Sequence, residues 1–180
     1  MARQLCRPEH LPAARYRALL ISFLVVAAIG LVVDQLGKGW AFGAWGAPHG
    51  VRAVAPGVVA GVLGRNDGAL FSVEGHGSRL IRWGLTLTGS VAMAVVLWWA
   101  LVLDRDRWRM VDTVGGGLLL AGALGNLVDR LALGYSRDYL ILSIRPHQIF
   151  NTADVFMVVG AVVLLGSLAT CRRLAPASPA

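Results

Sequence analysis

Carboxylates and carboxamides are the polar groups that gather in this sequence. Asp34, Asn66, Asp67, Asn126, Asp129, Asp138, Asn151 and Asp154 stand beside or between apolar runs, with Lys38 and Arg130 among them. Two carboxyl groups held close together cannot both ionise easily, so one keeps a proton while the other can deprotonate a water. That division of labour hydrolyses an amide without a metal or a covalent intermediate. Other hydrolytic chemistries lack their parts here. The histidines His10, His49, His76 and His147 are dispersed, and no HExxH spacing supplies a zinc site. No Gly-x-Ser-Gly pattern points to a serine nucleophile, and Cys6 and Cys171 lie near opposite chain ends, with no CxxC spacing. Both cysteines are expected to be free thiols, and neither a metal nor a cofactor is expected.

The elements that must position these groups belong to a membrane protein. A hydrophobic share of 56% with only 15% charged residues is too apolar for an ordinary soluble chain of this length. Four apolar segments are each near the length needed to cross a bilayer as a helix: Ala18 to about Ala41, Trp83 to Leu103, Val114 to Leu133 and Ala153 to Leu174. Backbone polar groups in lipid need internal partners, so these segments are expected as helices. The expected fold class is membrane all-α, one domain over residues 1–180, with four transmembrane helices and a small extracytoplasmic β-rich segment between the first two. In that segment, Phe42 to Arg82, the valine-rich runs Val51 to Val54 and Val58 to Val62 are punctuated by Pro56, Gly57, Gly61 and Gly64, which suits short strands. Leu140 to Ile144 is β-prone as well, either as a strand or as a loop.

Arg3, Arg7, Arg15 and Arg17 precede the first run, Arg105, Arg107 and Arg109 fill the short second connection, and Arg172 and Arg173 follow the last run. This density places both termini in the cytoplasm. The formal charge of +7 reads as topology signal and lipid contact rather than nucleic-acid binding, because no basic face interleaved with aromatics occurs. Ala18 to Val33 resembles a signal-peptide core, but Asp34-Gln-Leu-Gly-Lys38 is no small-residue cleavage site, so a retained span is expected. Only Met1 to Leu5 precede Cys6, so it is not expected to be a lipoprotein cysteine.

With that topology the polar residues fall at one face of the membrane, where ionisable groups within spans are functional candidates. Structural readings compete. Asp34 and Lys38, four apart, also suit an ion pair on a helix surface. Asn151 and Asp154 suit a helix cap. Asp129 beside Arg130 suits an ionic anchor, and Asp138 a solvated loop carboxylate. Glycines Gly115, Gly116, Gly117, Gly122 and Gly125 suit close helix packing. From residue types alone, either Asp129 or Asp138 can be the partner of Asp154.

Read in order, Asp34-Gln-Leu-Gly-Lys38, Asn66-Asp-Gly-Ala-Leu-Phe71-Ser72, Gly122-Ala-Leu-Gly-Asn126-Leu-Val-Asp129-Arg130-Leu, Gly134-Tyr-Ser-Arg-Asp138-Tyr139 and Phe150-Asn151-Thr-Ala153-Asp154 resemble the lipoprotein signal peptidase (signal peptidase II) family. The resemblance covers about Leu31 to Gly160. It implies a cofactor-free aspartic endopeptidase of the bacterial cytoplasmic membrane, with its active site near the outer face, cutting diacylglyceryl-modified prolipoproteins before the lipidated cysteine. It maps the catalytic pair onto Asp138 and Asp154. Asn66, Gly68, Asn126, Asp129, Arg130, Asn151 and Ala153 would then hold substrate or orient the pair. Asp34 and Lys38 would stabilise the architecture, and Phe71 would accommodate signal peptide or lipid. The implied partners are lipid-modified precursors and membrane lipid, with the enzyme acting as a monomer.

The chain departs from the family pattern at several positions. It has Gly37 where Ser or Thr usually precedes the lysine, Asp67 where Thr is usual, and Leu70 where a second Ala is usual. Arg137 replaces a small apolar residue before Asp138, and Tyr139 replaces Phe after it. A guanidinium beside Asp138 would favour the ionised carboxylate and lower the working pH, or would point into water. The rival readings are a non-catalytic paralogue that binds precursors without cutting, or a small transporter with a carboxylate relay. A relay would spread its acids through the bilayer depth, whereas here they gather at one face.

Overall fold

The computed structural model describes residues 12–44, 52–55, 59–66, 94, 98, 108–142 and 149–174. The expected span Trp83 to Leu103, apart from Ala94 and Trp98, lies outside the described residues, as do Cys6, Asp67, Gly68 and Phe71 and the side chains of Asn66 and Cys171. The described chain is mostly helical. Helix α1 runs Ala13–Ala44, α2 Met110–Leu133 and α3 Thr152–Leu174. Strands β1 (Arg52–Ala55), β2 (Val59–Asn66), β3 (Ser136–Leu142) and β4 (Ile149–Phe150) form one antiparallel sheet in the order β1-β2-β3-β4.

The helices reverse the usual distribution of polarity. On α1 the residues Leu19, Phe23, Ala27, Asp34, Lys38 and Ala41 are buried at helical spacing, while Ile21, Leu24, Ile29, Val32, Leu36 and Trp40 face outward. An amphipathic helix in water does the opposite. Helices α1 and α2 are each long and apolar enough to cross a membrane, and α3 carries a shorter apolar stretch over Thr152–Ser167.

Helix α2 packs against both α1 and α3 through its small residues. Gly122 sits where an added Cβ would run into the carbonyl oxygen of Ala153 and lie 2.6 Å from Met157 Cγ. At Gly125 the same atom would collide with the Asp34 carboxylate and stand 3.3 Å from Ala153 Cβ. Lipid tails are as apolar as the helices, so close backbone approach of this kind, with polar contacts, is what holds spans together. Gly122→Ala is therefore expected to destabilise the protein by about 1–3 kcal/mol. Thermal unfolding in detergent checks this, with Gly39→Ala as control, since nothing lies within 4 Å of a Cβ there.

At the far end of α2, Trp108 packs edge-on against Phe23 with ring centroids 5.8 Å apart, and its Nε1 donates to Thr113 Oγ1 at 2.7 Å. Arg109 and Asp112 cap the helix start and both reach Ser167 of α3. The near end closes at Gly134, whose φ of 83° is a left-handed C-cap conformation, with its N–H donating to Arg130 O at 3.0 Å. That reversal feeds the chain directly into β3. Strand β4 ends one residue before Asn151, so the sheet delivers the chain to the start of α3.

Candidate active site

Strand β3 begins at Ser136, and successive side chains of a strand point to opposite faces. Ser136 and Asp138 therefore share one face, and Arg137 takes the other. Ser136 Oγ donates to Asn126 Oδ1 at 2.8 Å, while Asp138 Oδ1 accepts from Asn151 Nδ2 at 2.6 Å. In the pairing of β2 with β3, Gly64 stands opposite Asp138 and Asn66 opposite Ser136, so the backbone of Asn66 lies alongside the site. Asp138 is buried, with 2% of its surface exposed; it is a strand residue and not a solvated loop carboxylate.

Asn151 and Asp154 cap α3 reciprocally. Asp154 N–H donates to Asn151 Oδ1 at 3.1 Å, and Asn151 N–H donates to Asp154 Oδ2 at 3.1 Å. This is a capping box with aspartate in its third helical position. The cap leaves Asp154 Oδ1 to accept from Asn126 Nδ2 at 2.8 Å.

Asn126 is the hub. Its Oδ1 accepts from Lys38 Nζ at 3.1 Å, Ser136 Oγ at 2.8 Å and Asn151 Nδ2 at 3.0 Å. Three donors on that atom fix which way the amide faces, because the flipped form would aim its NH2 at an ammonium. Its nitrogen must then face Asp154. A continuous chain of hydrogen bonds runs Asp138, Asn151, Asn126, Asp154.

Beneath the asparagines lies a fully buried charge cluster. Lys38 Nζ is 2.7 Å from Asp34 Oδ2 and 3.4 Å from Asp129 Oδ2, and none of the three side chains is exposed. Asp34 and Lys38 are thus no surface pair. Asp34 Oδ1 also accepts from Ala153 N–H at 2.8 Å and Thr152 Oγ1 at 3.0 Å, which ties α1 to the first turn of α3. Asp129 is engaged by Arg137 rather than by its neighbour Arg130. Arg137 Nη2 reaches Asp129 Oδ1 at 2.7 Å, and the Arg137 backbone N–H donates to Oδ2 at 2.9 Å. The guanidinium therefore neither points into water nor lies against Asp138. Arg130 is half-buried in the last turn of α2.

Of the residues singled out from sequence, Asp34, Lys38, Asn126, Asp129, Asn151, Ala153, Asp138 and Asp154 meet in this one cluster. Ser136, Gln35 and Thr152 join it without having been singled out, and Arg137, noted as a departure beside Asp138, joins it through Asp129. Strand alternation two residues before Asp138 would have found Ser136.

Gly37 and Tyr139 are a further matched pair. A Cβ on Gly37 would lie 2.7 Å from the Tyr139 hydroxyl, which in turn shares a 2.5 Å hydrogen bond with Thr152 Oγ1. Burial pushes the Tyr139 hydroxyl above its usual range, so it keeps its proton throughout the working pH of most enzymes. The missing side chain at position 37 is the space that this hydroxyl fills. Gly37→Ser is expected to lower turnover several-fold by displacing Tyr139, and adding Tyr139→Phe is expected to recover most of the loss. Steady-state rates of the two single variants and the double variant check it; equal loss in Gly37→Ser and the double variant would show that the two positions do not communicate.

Comparison with known proteins points to one family. The family described as Signal peptidase (SPase) II matches residues 26–170. A lipoprotein signal peptidase of Gloeothece citriformis is 37% identical, covering 79% of this chain and 86% of its own. One of Gloeobacter violaceus is 37% identical and covers 88% of each chain, and one of Pseudomonas fluorescens is 33% identical over 86% of this chain and 91% of its own. A solved bacterial membrane enzyme superposes with a TM-score of 0.70 at 21% identity, covering 88% of this chain and 93% of its own. A second superposes with a TM-score of 0.66 at 22% identity, covering 81% and 91%.

Proposed function

Because the chain belongs to the signal peptidase II family, whose members remove signal peptides from prolipoproteins, we propose that Asp138 and Asp154 are its catalytic pair. The protein is a membrane peptidase acting on prolipoproteins. The observation that carries the assignment is the asparagine bridge. Asn151 donates to Asp138 and Asn126 donates to Asp154, while Asn151 also donates to Asn126, so two carboxyl groups from different elements are oriented by one shared unit. Asp129 is unsuited to the same work, since a bidentate guanidinium and an ammonium occupy its oxygens.

In the proposed reaction the pair carries one proton. The ionised carboxylate takes a proton from a water as that water adds to the scissile carbonyl, and the protonated partner donates to the carbonyl oxygen. The roles then exchange: a proton passes to the departing nitrogen, the C–N bond breaks, and the pair returns to its starting state. Asn66, Gly68 and Arg130 border substrate, Ala153 and Asp129 help to hold the pair's surroundings, and Phe71 meets signal peptide or lipid.

The chain crosses the bacterial cytoplasmic membrane four times, with both termini in the cytoplasm, the sheet on the outer side and the pair near the outer face. It acts as a monomer on diacylglyceryl-modified precursors, cutting before the lipidated cysteine. The outward apolar face of α1 and the arginine density around its start support this placement. The test is cleavage of a diacylglyceryl-modified prolipoprotein by purified protein in detergent, with product masses fixing the cut. Native protein is expected to release the signal peptide, and Asp138→Asn and Asp154→Asn to bind the precursor without cutting it. Cutting that survives either substitution removes that aspartate from the pair.

A further inference from the structure

Arg137 is the residue of β3 next to Asp138, yet its guanidinium is spent elsewhere. Its Nη2 and Nε contact the Asp129 carboxylate at 2.7 and 3.2 Å, its Nη2 also donates to Gln35 Oε1 at 2.8 Å, and its backbone N–H adds a third bond to Asp129. Gln35 is itself held, donating to Gly125 O at 3.0 Å and to Asp34 Oδ2 at 3.2 Å. One side chain thereby fastens β3 to both α1 and α2 at the position immediately before Asp138.

The charges make a second, separate demand. Asp34 and Asp129 are two buried carboxylates sharing Lys38, which lies closer to the first, at 2.7 Å, than to the second, at 3.4 Å. A single ammonium leaves that set one negative charge in excess. Arg137, with its side chain 19% exposed, supplies the missing positive charge and makes the set of four neutral. A neutral support matters because Lys38 also touches Asn126, whose amide holds Asp154, so any excess charge lies directly beneath the pair.

We propose that Arg137 is a positioning residue for the catalytic pair, fixing β3 on α1 and α2 and cancelling the charge of Asp129 so that the pair operates at its normal pH. The inference rests on the assignment of Asp138 and Asp154 above. The ionisable and charged groups facing this region are Asp34 and Lys38 from α1, Asp129 and Arg130 from α2, Arg137, Asp138 and Tyr139 from β3, Arg65 from β2 over the Tyr135 ring at 5.1 Å, and Asp154 from α3. Removing Arg137 leaves Asp129 as an added negative charge. Negative charge near an ionising carboxyl pair favours protonation, so both limbs of the pH–rate profile move to higher pH.

The experiment is the pH dependence of kcat and KM for Arg137→Met, Arg137→Lys, and Arg137→Met combined with Asp129→Asn, on a diacylglyceryl-modified prolipoprotein in detergent. Arg137→Met is expected to lower kcat by roughly tenfold or more with little change in KM, and to shift the profile upward by roughly one pH unit. Arg137→Lys restores the charge without the fork, so the profile returns while kcat recovers only in part. The double variant removes one charge of each sign, and its profile is expected to return to the native position. A profile that stays in place in Arg137→Met, with native thermal stability or with reduced stability alike, overturns the charge-balancing role. An upward shift that persists unchanged in the double variant overturns it as well. Failure of the pair assignment is a different result, namely cutting that survives Asp138→Asn or Asp154→Asn.

Discussion

Asp138→Asn, Asp154→Asn and the double variant are expected to lose cleavage to the same depth, roughly a thousandfold or more each. General acid and general base contributions are typically about a hundred- to ten-thousandfold. Groups that act as one unit do not add, so the second substitution should take away little that the first has left. Position 154 should also lose stability. At position 138 asparagine still offers an oxygen to Asn151 Nδ2, which bonds the aspartate at 2.6 Å, so that contact survives the substitution. At position 154 both carboxylate oxygens are in use, one accepting from Asn126 Nδ2 at 2.8 Å and the other from the Asn151 backbone at 3.1 Å. An amide has one acceptor oxygen, so one bond is lost and the cap weakens by about 0.5–2 kcal/mol. Cleavage of a lipidated precursor and thermal unfolding, measured on the same preparations, test both halves. A double variant markedly slower than either single one would mean that the two carboxyls work in separate steps.

Much of the site was legible in the residues. The five motifs occur in order, and four of them meet in a cluster drawn from α1, α2, β3 and the start of α3, while residues 67–72 of the other lie outside the described residues. The choice between Asp129 and Asp138 was not legible from residue types, because both are aspartates near the end of the same helix. Strand register separates their surroundings: Asp138 turns toward Asn151, and Arg137, one residue earlier, turns away onto Asp129. The start of β3 was also hidden. Ser136, Arg137 and Asp138 are poor strand formers, so the β-prone run read from Leu140; pairing with β2 from Asn66 onward overrides that preference. Helix α1 begins at Ala13, ahead of the apolar run at Ala18, because apolarity marks the stretch suited to lipid while Arg15, Tyr16 and Arg17 carry helix equally well.

The two readings offered for Asn151 and Asp154 turn out to be compatible. A capping box normally spends its acidic side chain on one backbone N–H, and here that bond uses only Oδ2. The second oxygen remains in reach of Asn126, so the cap fixes the carboxylate's direction while leaving it in the cluster. A helix start is a rigid place to hold a reacting group, and the same residues can serve folding and chemistry without compromise.

Lys38→Met is expected to destabilise the protein by about 3–5 kcal/mol and to remove most activity, although Lys38 touches neither proposed catalytic carboxylate in the observed hydrogen bonds. Its ammonium has three partners, Asp34 Oδ2 at 2.7 Å, Asn126 Oδ1 at 3.1 Å and Asp129 Oδ2 at 3.4 Å, all buried. Taking out the ammonium strands Asp34, whose remaining donors are neutral: Ala153 N–H, Thr152 Oγ1 and Gln35 Nε2. Asp129 keeps Arg137, so the larger penalty falls on Asp34. That carboxyl must take up a proton or draw in water, and either change loosens its hold on the first turn of α3, where Asp154 sits. Combining Lys38→Met with Asp34→Asn removes both charges together. The double variant should regain much of the lost stability, since replacing a buried pair by neutral groups is far less harmful than breaking it. Activity should recover less than stability, because Asn126 still lacks one of the three donors that orient it toward Asp154. Unfolding in detergent and precursor cleavage, run on both variants, separate these effects; a Lys38→Met protein with native stability would mean that the cluster does not rely on this ion pair.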